Sequence, residues 1–203
     1  MKKRIIVGIA GASGVIYGVR IMELLKDLDY ETHLILSTAG KLNIEIETEY
    51  AADDVAAMAD RVYDHKDIAA AVASGSFLTE GMMVVPCTIK SLSGIANSYN
   101  ENLLVRAADV CLKEKRKLVL MVRETPLHKG HLRLMLQAAD MGAHILPPVP
   151  SFYHHPKTLE DIIDQTVGKI FDFFGIQHDL FQRWGEESHD HDSKTQLNCI
   201  KSN

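Results

Sequence analysis

Residues 4–27 read RIIVGIAGASGVIYGVRIMELLKD, and the change of period within this stretch decides the fold class. Arg4 to Ala10 is an unbroken apolar run rich in Ile and Val, as expected of a strand buried on both faces. It ends in a cluster of glycines, Gly8, Gly11 and Gly14. From Val15 the apolar positions recur at helical spacing, at Val19, Met22 and Leu25, as far as Asp27. Strand, glycine turn and helix together make the first half of a βαβ unit.

The same alternation continues along the chain. Glu31 to Ser37 reads as a second strand, with a helix from Ala39 to Glu49. Gly81 to Val85 is a third apolar strand, ending at Pro86. Helical segments follow at Thr88–Ala96 and Asn102–Lys115, then a fourth strand at Lys117–Arg123. His128 to Met141 reads as a helix closed by Gly142, and His144–Leu146 as a short strand before a proline-rich turn. The last helix has its apolar face at Leu159, Ile162, Ile163, Ile170, Phe171 and Phe174, and Gly175 ends it. The Ala-rich stretch from Ala51 to Ser76 shows no clear period. Strands alternating with helices predict an α/β protein, with a mainly parallel sheet covered on both faces.

At 203 residues and 46% hydrophobic content, the chain can bury one sizeable core. The expected organisation is one domain over residues 1–185 and a polar, aperiodic, mobile tail over 186–203. A net charge of -5 gives no global attraction to nucleic acid or to an anionic membrane. A small anionic ligand bound at a local site fits better. Cys87, Cys111 and Cys199 are odd in number and widely spaced, which suits a reducing compartment and gives neither a disulfide framework nor a zinc site. The glycines break the N-terminal apolar run, so it is neither a signal core nor a span. A cytoplasmic protein is expected.

In open α/β sheets ligands sit beyond the carboxyl ends of the strands. Four such places carry suggestive chemistry. Gly11, Ala12 and Ser13 can bring backbone amides and a hydroxyl to a phosphate, or can form a plain turn. The spacing is not the full dinucleotide fingerprint, and Ser37 rather than an acid ends the second strand, which argues against NAD. Thr88, Ile89, Lys90 and Ser91 repeat the pattern of hydroxyls and free amides. Beside them Cys87 reads as a buried apolar residue, because no histidine is placed by sequence to activate it. Arg123 and Glu124 can pair with an anion and exchange a proton, or can make a surface salt bridge. Tyr153 and Lys169 offer a second phosphate grip, with a core role for Tyr153 equally open. The run His189-Asp190-His191-Asp192 reads as solvated charge, and His128 and His131 lack carboxylate partners at matching spacing, so no metal is expected.

These strand-end sites lie within longer phrases: GASGVIYG, MMVVPCTIKSLSGIA, NLLVRAADVCLKEKRKLVLMVRETPL, GAHILPPVPSFYHHP and FGIQHDLFQRWGE. With them the chain resembles the UbiX-like flavin prenyltransferases from about Ile5 to Glu186, and most closely the subgroup that accompanies hydroxyarylic acid decarboxylases. The resemblance implies a flavodoxin-like, Rossmann-related three-layer sandwich that assembles as a dodecamer with its sites at subunit contacts. It implies reduced FMN as prenyl acceptor, held by Gly11, Ala12, Ser13, Ser37, Thr88, Ile89, Lys90, Ser91 and Arg123. Dimethylallyl phosphate would be the donor, its phosphate held by Arg106, Lys113, Tyr153 and Lys169. Glu124 and Glu47 would stand beside it, Glu124 as the favoured proton donor, and Trp184 would cap the prenyl pocket. The product would serve a UbiD-like decarboxylase. Two positions depart from the family pattern: Lys169 stands where arginine is usual, losing the bidentate fork, and Thr88 replaces a common serine. Two alternatives are an FMN-dependent cysteine decarboxylase and a non-catalytic FMN-carrying subunit.

Overall fold

The structure, a computed structural model, describes residues 2–185. β1 (Lys3–Ile9) leads through the glycine turn into α1 (Val15–Lys26), and β2 (Tyr30–Leu36) into α2 (Thr38–Glu47). A short α3 (Ala52–Ala56), β3 (Arg61–Asp64) and a 3-10 turn at Ala71–Ala73 fill the stretch that showed no period. Then follow β4 (Gly81–Cys87), α4 (Ile89–Ala96), α5 (Leu103–Lys113), β5 (Lys117–Val122), α6 (Lys129–Asp140), β6 (His144–Ile145) and α7 (Leu159–Phe174).

All strand pairings are parallel, in the order β3-β2-β1-β4-β5-β6. The five strands expected from sequence stand in the flavodoxin order, 2-1-3-4-5 when numbered among themselves. β3 adds a sixth at the β2 edge, giving the doubly wound Rossmann order. It escaped sequence reading because its four residues, RVYD, are mostly exposed and carry no apolar alternation.

The strand period of two divides the core into two layers. Ile6, Ile35, Met82, Val84, Leu118 and Leu120 face the side covered by α4, α5 and α6. Their neighbours Ile5, Val7, Leu34, Met83, Val85 and Val119 face the side covered by α1 and α7. Both faces of the central strands are dry, which is why β1 and β4 read as continuous apolar runs. α7 is closed at its start by a capping box of Thr158 and Asp161 and at its end by Gly175 in the left-handed region.

Candidate functional site

Strand order reverses between β1 and β4, and a crevice opens there beyond the carboxyl ends of the strands. Hydrogen bonds tie the four strand-end loops into a row. Ser37 N donates to Ile9 O at 3.1 Å, Ala10 N to Pro86 O at 3.2 Å, and Arg123 N to Cys87 O at 3.2 Å. Ser37 and Arg123 therefore stand three strand spacings apart, roughly 14 Å at about 4.8 Å per spacing.

A cleft of about 850 Å³ lies along this row, and Gly11, Ser37, Thr88, Lys90 and Ser91 line it. The helices α2 and α4 begin at its wall. Ser37 Oγ caps α2 by accepting from Gly40 N at 2.9 Å, and Thr88 Oγ1 caps α4 by accepting from Ser91 N at 3.0 Å. Each hydroxyl so used keeps its proton. That of Thr88 goes to Ser91 Oγ at 3.0 Å, which leaves the protons of Ser37 and Ser91 for a ligand. Two helix starts directed at one cleft supply free amides and positive dipole ends, the chemistry a phosphate requires.

Gly11 is required by close approach. A Cβ on it would lie 2.2 Å from Ala39 Cβ and 2.8 Å from the Ala39 carbonyl carbon, inside the first turn of α2. The glycine loop thus presses its backbone against the start of α2, so Gly11 and Ser37 share one wall. Ala12 is buried beneath and Ser13 is exposed. Gly14, just before α1, provides no side-chain cap, and Glu47 supplies one from the end of α2. Its Oε2 accepts from Gly14 N at 2.7 Å and from Val15 N at 3.4 Å.

One strand further along the row, beyond the residues that line the cleft, Arg123 and Glu124 are exposed on the loop after β5, and Glu124 Oε1 accepts from Thr125 N at 3.0 Å. Cys87 is fully buried, and burial pushes its thiol up to about 12, so it stays protonated at neutral pH. That agrees with its reading as a packing residue.

The remaining expected residues form two separate groups. Arg106 and Lys113 lie on α5. Arg106 donates to Ala73 O and to Asp109 Oδ2, both at 3.1 Å, and Lys113 is paired with Glu114. Lys113 closes α5 just before β5 begins, so it stands at the edge of the sheet opposite the cleft. Tyr153, Lys169 and Trp184 lie beyond β6. Tyr153 and Trp184 meet edge to face, with centroids 5.6 Å apart at 85°. Lys169 Nζ is 3.9 Å from Asp172, and its side chain lines a second cavity of about 310 Å³ with His144, Gln165 and Thr166. Of the residues expected to hold flavin, Gly11, Ser37, Thr88, Lys90 and Ser91 share the cleft wall, while Lys113, Tyr153, Lys169 and Trp184 do not line it.

The cleft is also lined by His65, Asn97, Tyr99, Glu101 and Asn102, which sequence reasoning missed. His65 follows β3 and accepts from Leu103 N at 2.8 Å through its carbonyl, so it could be placed only once β3 was known. No signal in the sequence marked the other four. His128 accepts from Gly130 N, and its ring lies 3.5 Å from that of His131, centroid to centroid. Among the described residues no group of three or more metal-ligating side chains forms, and no helix is long and apolar enough to cross a membrane. The run from His189 to Asp192 and the tail assigned to 186–203 lie outside the described residues.

Fold and cleft define a doubly wound α/β protein that takes an anionic ligand at its switch point. The Flavoprotein family matches residues 1–182. The flavin prenyltransferase UbiX of Salmonella typhimurium is 58% identical over 185 residues, 90% of this chain and 98% of that protein. The crystal structure of AnUbiX (PadA1) in complex with FMN and dimethylallyl pyrophosphate is similar with a TM-score of 0.90 at 44% identity, covering 93% of this chain and 100% of that one. A dodecameric FMN-dependent UbiX-like decarboxylase from Escherichia coli O157:H7 gives a TM-score of 0.88 at 47% identity, covering 90% and 100%. The chain belongs to the flavoprotein family and, within it, to the UbiX-like flavin prenyltransferases.

Proposed function

We propose that this protein joins the dimethylallyl group of dimethylallyl phosphate to N5 and C6 of reduced FMN, without a metal. The observation that carries the reading is 58% identity along 90% of the chain to a flavin prenyltransferase, in a chain whose conserved fold opens a phosphate-suited cleft. Residues 1–185 act as one cytoplasmic flavin-binding domain, and the prenylated flavin passes to a UbiD-like aromatic acid decarboxylase, here one for hydroxyarylic acids.

The cleft fits a flavin mononucleotide. Gly11 leaves room where a side chain would collide, two helix starts offer amides, and Ser37 and Ser91 keep hydroxyl protons. In this reading Gly11, Ala12, Ser13, Ser37, Thr88, Ile89, Lys90, Ser91 and Arg123 hold FMN. Arg106, Lys113, Tyr153 and Lys169 hold the donor phosphate, and Trp184 covers the prenyl chain. Lys113, Tyr153, Lys169 and Trp184 do not line the cleft of their own chain, so in this reading neighbouring subunits of a dodecamer complete each site.

The allylic carbon–oxygen bond breaks with its electron pair leaving on phosphate as the allylic carbon bonds to N5, which gives up its proton. A proton then adds to the remaining alkene, and its tertiary carbon bonds to C6, which loses its own proton. Lys and Arg side chains around the phosphate stabilise the departing charge, the work a metal would otherwise do. Glu124 supplies the proton that the phosphate takes up, with Glu47 as the second carboxylate. Anaerobic incubation with reduced FMN and dimethylallyl phosphate, read by mass spectrometry, should give flavin heavier by one five-carbon unit; unmodified flavin with either the mono- or diphosphate donor would overturn the reading. Glu124→Gln should keep FMN binding and slow transfer about 100-fold or more, and an unchanged rate would remove Glu124 from the chemistry.

A further inference from the structure

Residues 176–185 form a strap that turns back along α7 after Gly175, and several features hold it there. Ile176 is buried and its N–H donates to Phe171 O at 3.0 Å. Asp172 on α7 accepts from Arg183 through both of its oxygens, at 2.9 and 2.7 Å, the planar fork geometry that gives a guanidinium–carboxylate pair its strength. The His178 ring is almost wholly buried. Its Nδ1 accepts from Leu180 N at 3.3 Å, which leaves Nε2 to donate to Asp172 Oδ1 at 3.1 Å. Arg183 also lies over the Phe181 ring, 5.4 Å from its centroid.

The helix is shaped to receive the strap. Gly168 lies within α7, where glycine costs about 1 kcal/mol relative to alanine. A Cβ there would come within 2.5 Å of Phe181 Cε1 and 2.7 Å of His178 Cε1. The glycine makes a notch for these two rings. One residue beyond Arg183, Trp184 reaches its edge-to-face contact with Tyr153. The Asp172–Arg183 pair is thus the last fixed point of the strap before that contact.

We propose that Asp172 is a positioning residue which, with Arg183, His178 and the Gly168 notch, pins the strap to α7 and so sets Trp184 against Tyr153 at the prenyl-donor site. The donor part rests on the function proposed above; the pinning of Trp184 does not. Asp172 touches no reacting atom in this scheme. Lys169 stands 3.9 Å from the same carboxylate, which Arg183 and His178 also engage.

Trp184 is the chain's single tryptophan, so fluorescence of the ligand-free protein excited beyond the tyrosine absorption reports on this residue. Asp172→Asn removes the charge, and Gly168→Ala fills the notch without touching any charge. Trp184 is exposed and held by its ring contact rather than by burial, so in both full-length variants we expect lower Trp184 anisotropy than in wild type. The KM for dimethylallyl phosphate should rise about tenfold, with kcat changed far less and FMN affinity unchanged. Wild-type fluorescence in both folded variants overturns the proposal, and so does a freed Trp184 with an unaltered donor KM. Should wild type transfer no prenyl group, the proposed function fails, and the donor part of this inference with it; the fluorescence comparison still decides whether Asp172 pins the strap.

Discussion

Replacing Glu47 with Ala strips the carboxylate from the start of α1, where Gly14 has no side chain to take its place. Two contributions are lost. A hydrogen bond to a charged acceptor contributes about 1.5–3 kcal/mol where solvent is excluded, and a negative charge at a helix start adds roughly 0.3–1 kcal/mol. Glu47 is exposed, so solvent screening lowers both, and a net loss of about 1 kcal/mol, the usual cost of deleting an N-cap, is expected. For a domain of this size that corresponds to a fall in Tm of about 2–4 °C. Thermal melts of ligand-free protein measure it, and amide exchange at Gly14 and Val15 locates it, since those two N–H groups donate to Glu47. Glu47→Gln keeps an acceptor oxygen and should lose about half as much. A Glu47→Ala protein with unchanged Tm and unchanged exchange at both amides refutes the capping argument. A Glu47→Gln protein that keeps its Tm but loses prenyl transfer shows that the carboxylate also has a chemical role beyond the cap.

Other outcomes follow from the same geometry. Gly11→Ala places a methyl group 2.2 Å from Ala39 Cβ, so α2 must shift, with a cost of about 1–3 kcal/mol and a larger loss of FMN affinity than of stability; fluorescence titration with FMN would expose an error if affinity held. Cys87→Ala should lower stability by about 1 kcal/mol and leave turnover intact, because the thiol is buried and protonated; loss of turnover in a folded variant would make it a participant. His33, 1% exposed, donates to or accepts from Tyr63 Oη at 2.9 Å, and its Nε2 lies 3.3 Å from Glu31 Oε1, off the line of a hydrogen bond. Burial is the main cause that holds its pKa below the ordinary 6.5; the nearby Glu31 carboxylate opposes this and Arg4 reinforces it. The unfolded chain therefore binds the proton more readily, so this part of the stability is complete above pH 6.5 and is lost as the pH falls from there through the folded value. Urea unfolding between pH 8 and 5 should show that loss, and His33→Asn should reduce it; identical pH profiles would exclude His33 as the source.

Much of this protein was legible in its sequence because the signals are local. The apolar runs at β1 and β4 identify strands buried on both faces, and the glycine turn before Val15 marks the first crossover. Ser37 and Thr88 stand out because a residue that ends a strand and opens a helix must cap free amides, a demand met within four residues of chain. Cys87 reads as a packing residue because no histidine stands near it in sequence, and it is fully buried. β3 was not legible: four exposed residues at a sheet edge leave no period, and without β3 neither the sixth strand nor His65 on the cleft wall could be placed. Tertiary structure alone decided that Glu47 reaches back to cap α1 and that the notch at Gly168 receives His178 and Phe181. It also set Lys113, at the end of α5, at the sheet edge opposite the cleft that the start of the same helix helps to line. Capping and periodicity are settled within a turn or two of backbone. Which side chains share a site depends on strand order and on the faces the helices cover, and those are fixed only when distant segments bury their apolar surfaces together.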